Sequence, residues 1–256
     1  MKQTTFDEFV ELARRGTFVP VVKEIMADLL TPVSAYLKIA EHSDYAFLFE
    51  SVEGGEQVAR YSFLGKDPFL VLRSRGGKTV IERSGVTTES NEPFVPVLRR
   101  LMAEFRAPYV PDLPRLTGGA VGFIGYDASV MFEPVLGEAW KNAAWAELKT
   151  APTSNLQPAS SDEAGFMLFD TVLAFDHVKH RILIISNARV TADEDLSALY
   201  QFACAKIQFL ERELERGLSS ATRPAPRTAP ELRSNQTRET YEGGVRTIKE
   251  RIAAGD

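Results

Sequence analysis

The residues best suited to chemistry stand in the run FLFESVEGGEQVARYSFLG, from Phe47 to Gly65. Its first part reads as an apolar strand ending in Glu50 and Ser51. A tight polar turn with Gly54 and Gly55 follows, then a return strand that carries Arg60. An anion, a hydroxyl and a cation then meet at one end of a hairpin, with Phe47, Phe49, Tyr61 and Phe63 as apolar walls. A ligand ammonium seeks carboxylate and hydroxyl acceptors, and a ligand carboxylate seeks a guanidinium. The set suits an amino acid with an apolar side chain. On spacing alone, an exposed Glu50–Arg60 pair across a hairpin is the plainer account, and such a pair is worth at most about 1 kcal/mol.

Other chemistry-bearing patterns read as structural. Gly119, Gly122 and Gly125 recur every third residue in GGAVGFIGYD. The dinucleotide fingerprint is G-x-G-x-x-G between a strand and a helix, whereas these glycines sit inside an apolar run that suits close backbone packing. Asp176, His177 and His180 lie in DHVKH, a turn between two strands with no Cys or fourth ligand nearby, so no metal site is assigned. Cys204 falls within a helical pattern and reads as a buried apolar thiol. Glu211/Glu213 and Asp193/Glu194 read as solvated charge on a helix or at its start. No catalytic constellation emerges from these residues.

The elements that would position these side chains follow from periodicity. Helices are expected over Thr5–Arg15, from Thr31-Pro32 through Ile39, over Pro93–Phe105 and over Asp193–Gly217. Phe18–Ile25 is extended. Tyr45–Ser51, Val58–Phe63, Phe69–Arg73 and Thr79–Arg83, separated by Gly54-Gly55, Asp67-Pro68 and Gly76-Gly77, predict an antiparallel meander. Gly118–Tyr126 reads as a buried strand, and Phe166–Phe175 with Arg181–Ser186 as a hairpin. Residues 134–164 show weak periodicity and read as loops with short helices. The long helix is expected to pack on the chain's own sheet rather than in a coiled coil. Pro224, Pro226 and Pro230 mark residues 218–236 as a linker. Thr237 then caps a last helix with Tyr241, Val245, Ile248 and Ile252 on one stripe and Gly255 at its end. The expected organisation is one domain over 1–217, the linker, and over 237–256 the first helix of a second domain that the chain does not contain.

Composition sets the outer bounds. The chain has 256 residues, 44% of them apolar and 25% charged, with a net charge of −5. Such interspersed charge gives no basic patch for nucleic acid and no footing on an anionic membrane. No apolar run approaches the roughly 20 residues that cross a bilayer. The first residues, MKQTTFDEFVELARRG, lack the apolar core of a secretory signal and are too acidic for a transit peptide. One cysteine cannot form an internal disulfide, which fits a reducing cytoplasm.

Taken in order, FVPVVKEIMADLLTPVSAYLKI, FLFES, VARYSFLGKDPF, LTGGAVGFIGYD, FDTVLAFDHVKHRILIISNA and TRETYEGGVRTIKERIAAGD resemble anthranilate synthase component I across essentially the whole chain. The resemblance implies an α+β fold of two packed, largely antiparallel sheets flanked by helices. It implies a lyase of tryptophan biosynthesis that makes anthranilate and pyruvate from chorismate and ammonia. Mg²⁺ is required there, a glutamine amidotransferase subunit delivers the ammonia, and L-tryptophan inhibits by feedback. The family's catalytic and metal-binding groups lie in a C-terminal chorismate-binding domain, so no catalytic residue and no metal ligand transfers to this sequence, and the chain alone is expected to be inactive. The family's tryptophan-binding signature transfers to Ser51, then Glu50, then Phe49, and across a one-residue gap to Arg60. Phe47 and Phe49 stand where aliphatic residues are usual. Two alternatives are the corresponding part of aminodeoxychorismate synthase component I, in folate precursor synthesis, and a stand-alone amino-acid-binding module.

Overall fold

A computed structural model describes residues 2–50, 60–133, 135, 162–217, 234 and 236–255. The backbone divides into two units, Met1–Lys141 with Ser160–Ser220, and Asn142–Ala159 with Ala221–Asp256. Ser51, most of 134–164 and nearly all of the expected linker lie outside the described residues.

The helices of the first unit start where side chains can satisfy free amides. Helix α1 (Phe6–Ala13) opens with a reciprocal cap: Thr5 Oγ1 accepts from Glu8 N at 3.2 Å, and Glu8 Oε2 accepts from Thr5 N at 2.8 Å. Thr31 and Ser34 repeat this ahead of α2 (Pro32–Ile39), with Pro32 in the first turn, where its missing N–H costs nothing. Helix α3 spans Phe94–Ala103, and α4 spans Leu196–Glu215 behind an Asp195 cap.

Among the described residues, ten strands form two five-stranded antiparallel sheets. The first, in order β1-β10-β9-β3-β2, uses β1 (Phe18–Met26), β2 (Ala46–Phe49), β3 (Tyr61–Lys66), β9 (Thr171–Asp176) and β10 (Arg181–Arg189). The second, in order β6-β5-β4-β8-β7, uses β4 (Leu70–Arg75), β5 (Lys78–Arg83), β6 (Val86–Ser90), β7 (Gly119–Ile124) and β8 (Ala164–Phe169). One face of the first sheet packs on α1, α2 and α4 through Phe9, Ile39, Leu173, Ile184 and Ile207. Its other face meets the second sheet through Leu183, Ile185 and Phe47 against Phe169 and Val121. The second sheet then covers α3 through Leu70, Leu72, Phe94 and Leu168. The result is the expected α+β layering, with the long helix on the chain's own sheet. Central strands β9 and β10 are buried on both faces, which is why they read as near-continuous apolar runs rather than alternating ones.

Three strand expectations are corrected. The predicted meander is split between the sheets: β2 and β3 pair in the first, while β4, β5 and the unforeseen β6 pair in the second. The chain changes sheet after β3 at Asp67, whose positive φ of 50° turns the backbone ahead of Pro68. Phe166–Phe175 is likewise two strands, broken at Asp170. The Asp170 carbonyl there accepts from Asn187 N at 2.7 Å and Asn187 Nδ2 at 3.0 Å. Strand β7 is an edge rather than a buried strand: of its residues only Val121 is buried, and Phe123 and Ile124 are exposed. Its glycine is needed all the same, because a Cβ at Gly122 would collide with the Gly165 carbonyl and sit 2.7 Å from Phe166 Cα.

In the second unit, α5 (Arg238–Ala254) is capped by Thr237 and ends at Gly255 with φ of 91°. Its Tyr241, Val245, Ile248 and Ile252 are exposed. Among the described residues no helix is long and apolar enough to cross a membrane.

Gly122→Ala therefore forces two paired backbones apart and is expected to cost about 2–4 kcal/mol. Urea denaturation measures this directly, and an unchanged midpoint would refute the close approach of β7 to β8.

Candidate functional site

The first sheet's inner face ends in a row of charge. Strand register aligns Tyr61 with Asp176, Asp176 with Arg181, and Arg181 with Met26. The next row inward aligns Phe49 with Phe63, Phe63 with Ala174, Ala174 with Leu183, and Leu183 with Glu24. Because side chains alternate across a strand, both rows face the same way. A charged rim therefore borders an aromatic and aliphatic floor.

Asp176 organises that rim. Its side chain is fully buried, and it accepts a bidentate pair from Arg60, Nε to Oδ1 at 3.0 Å and Nη2 to Oδ2 at 2.9 Å. It also accepts from the Lys179 amide at 3.2 Å, while Arg181 Nε approaches Oδ2 at 3.4 Å. Arg181 in turn donates through Nη1 to Glu24 Oε2 at 2.6 Å. Four alternating charges thus run Arg60, Asp176, Arg181, Glu24 across four strands and their ends. Burial pushes the Asp176 carboxyl up, but the hydrogen bonds from Arg60 and the Lys179 amide, with the fields of both arginines, outweigh it and hold it below the ordinary range. The same hydrogen bond raises the Arg60 pKa against its own desolvation. Burial raises the Tyr61 phenol, with the Asp176 charge adding to it.

Of the residues expected to bind a ligand, Phe49, Glu50 and Arg60 are described, and Arg60 belongs to this rim. Phe49 ends β2 with half its surface exposed, and its ring lies 5.2 Å from that of Phe47. Glu50 follows it and is exposed. Arg60 directly precedes β3, with Cζ 4.8 Å from the Tyr61 ring centroid. Among the described residues no hydrogen bond or ion pair joins Arg60 to Glu50, because the guanidinium is turned to Asp176. Ser51 lies outside the described residues. Phe47 is sealed against Phe169, with ring centroids 4.9 Å apart.

Asp176, Arg181 and Glu24 were not singled out as ligand-site residues by sequence reasoning, although the signal was present. A turn over 177–180 closing a hairpin places residue 176 opposite 181, and Asp176 continues the Val172, Ala174 alternation. The remaining candidates are structural in their contacts. His177 is exposed; its Nε2 lies 2.8 Å from Ser62 Oγ, and its amide donates to the Arg60 carbonyl at 2.9 Å. His180 holds a positive φ of 49° in the turn. Cys204 packs against the helical side of the first sheet. Among the described residues no group of three or more His, Cys, Asp and Glu could hold a metal ion.

A depressed carboxyl stabilises the fold above the unfolded Asp pKa of about 3.9, and that contribution is lost as pH falls through the lower folded value. The melting temperature of the parent chain is expected to fall more steeply below about pH 4 than that of Asp176→Asn. At neutral pH the variant melts lower, since two arginines lose their shared counterion. Equal slopes in acid would show that Asp176 is not held ionised by this rim.

No protein-family model matches the chain. Individual relatives do. It is 35% identical to anthranilate synthase component 1 of Synechocystis sp., over 98% of this chain and 48% of the relative. It is 37% identical to the protein of that name from Acetivibrio thermocellus, over 82% of this chain and 39% of the relative. The Acinetobacter calcoaceticus protein is 32% identical, over 99% and 48%. A crystal structure of anthranilate synthase component I from Streptococcus pneumoniae covers 90% of this chain and 45% of that one, with 22% identity and a TM-score of 0.46. The chain spans about half the length of the curated relatives it matches. It is a homologue of anthranilate synthase component 1, matched along nearly all of its own length.

Proposed function

We propose that this chain is the regulatory part of an anthranilate synthase component I, and that it holds L-tryptophan at the end of the β2–β3 hairpin. The observation that carries the reading is kinship over 98% of the chain at 35% identity. The sheet end adds a physical reason. Arg60 spends Nε and Nη2 on Asp176, which leaves Nη1 for a ligand carboxylate. Glu50 and Ser51 supply acceptors for the ammonium. The half-exposed Phe49, backed by Phe47 and Phe63, offers the indole an apolar wall. Asp176 fixes the guanidinium before the ligand arrives, so little side-chain entropy is lost on binding.

In the complete protein, chorismate and ammonia would give anthranilate, pyruvate and water in L-tryptophan biosynthesis. That lyase chemistry and its Mg²⁺ would belong to the remainder of the protein, and no step is assigned to residues of this chain. A glutamine amidotransferase, component II, would deliver the ammonia, and the assembly would work in the cytoplasm. Tryptophan would act by binding more tightly to an arrangement in which the chorismate site is incompetent, shifting the population toward it.

The test is the complete protein assayed for anthranilate formation from chorismate and ammonia. Ser51→Ala and Ser51→Leu are expected to weaken tryptophan inhibition at least about tenfold, near 1.4 kcal/mol, with turnover retained. A variant as sensitive as its parent would remove the hairpin assignment. A complete protein that consumes chorismate without making anthranilate would favour the aminodeoxychorismate reading instead.

A further inference from the structure

At the β1 edge of the same sheet face lies an open cavity of about 430 Å³. That volume falls within the range of small-molecule sites. Its apolar lining includes Leu12, Pro20, Val22, Val110, Leu113 and Leu183. Both signs of charge stand among these apolar groups: Lys2 and Arg181 are cationic, and Glu8, Glu11, Glu24 and Asp112 are anionic. Glu11 pairs with Arg14 and Asp112 with Lys179, which leaves Glu8, in the field of Lys2, and Glu24, bonded to Arg181. Glu8 is held below the usual carboxylate range by the Thr5 amide and stays ionised at neutral pH.

Arg181 makes the cavity more than a surface dent. Its Nη1 is taken by Glu24 and its Nε leans on Asp176, yet its Nη2 is buried and has no partner among the described residues. A buried donor without a protein acceptor is uncommon and is ordinarily satisfied by an ordered water or a ligand. That nitrogen has no accessible surface, so a ligand carboxylate would meet it only where the Arg181 side chain turns toward the cavity and loosens its hold on Glu24.

We propose that this cavity binds a zwitterionic α-amino acid with a large apolar side chain, its carboxylate on Arg181 and Lys2 and its ammonium on Glu8 and Glu24. The site is separate from the hairpin end and stands whether or not tryptophan binds there. The two share one buried carboxylate, since Asp176 contacts both Arg60 and Arg181.

L-Phenylalanine is the probe, titrated onto the isotopically labelled chain and followed by NMR. Saturable shifts are expected at Val22, Leu183 and Leu113. 3-Phenylpropionate lacks the ammonium and phenethylamine lacks the carboxylate, so each is expected to bind at least about tenfold more weakly. Arg181→Gln should weaken phenylalanine by a similar factor. If that variant fails to fold, Val110→Phe, which fills the cavity from a loop, decides the matter by abolishing binding. The proposal falls if no saturable response occurs by ~10 mM. It falls equally if either truncated probe matches phenylalanine, if Val110→Phe binds normally, or if the shifts centre on Phe49 and Phe63.

Discussion

A fully buried carboxylate can remain charged only if its surroundings return what desolvation takes. Asp176 meets that condition with a bidentate guanidinium, a backbone amide and a second guanidinium. Each partner is thereby placed. Arg60 is drawn across the end of β3, the turn over 177–180 is closed by the Lys179 amide, and Arg181 is aligned so that its far nitrogen reaches Glu24 on β1. The charged rim is thus one connected set, and a change in any member is felt by the others. Both candidate ligand positions draw on it.

The sheets bring that rim and the apolar floor together through two crossings of the chain. At Asp67 and at Asp170 the backbone leaves one sheet for the other, so β3–β4 and β8–β9 each run across the sandwich. The second crossing is tied by Asn187 and by Lys206, whose Nζ lies 2.6 Å from Asp170 Oδ2. The far end of β3 is tied as firmly, because Lys66 and Glu213 form a nearly buried pair at 2.8 Å that joins the strand to α4. Strand β3 is thus fastened to α4 at one end and to Asp176 at the other.

Much of this was legible in the residues. Thr5, Thr31 and Thr237 announce helix starts because capping chemistry is local, and the Leu196 to Leu214 stripe announces a helix lying on a sheet. What was not legible depends on distant partners. Nothing in Phe166–Phe175 says that Asp170 interrupts it, since both halves are apolar and each is paired in a different sheet. Val86–Ser90 hid as a strand because an exposed edge needs no apolar residues. Gly119–Ile124 looked buried from composition, yet edge position leaves Phe123 and Ile124 at the surface. At the candidate site the sequence pointed to Arg60 but paired it with Glu50, its neighbour across the turn. The actual partner is 116 residues away, and only the first sheet's strand order brings it close.

That substitution of partners changes what the hairpin end can do. A guanidinium facing Glu50 alone would be mobile, solvated and weakly held. Held by a buried carboxylate, it is a fixed donor at the start of β3, one row from the Phe49–Phe63 pair. Phe47 and Phe49 occupy the same face of one strand, yet Phe47 is sealed by Phe169 while Phe49 is half open. The floor is therefore finished toward the second sheet and unfinished toward the rim. An unfinished apolar surface next to prearranged charge favours ligands that carry both, which is the property shared by the hairpin end and the cavity at β1.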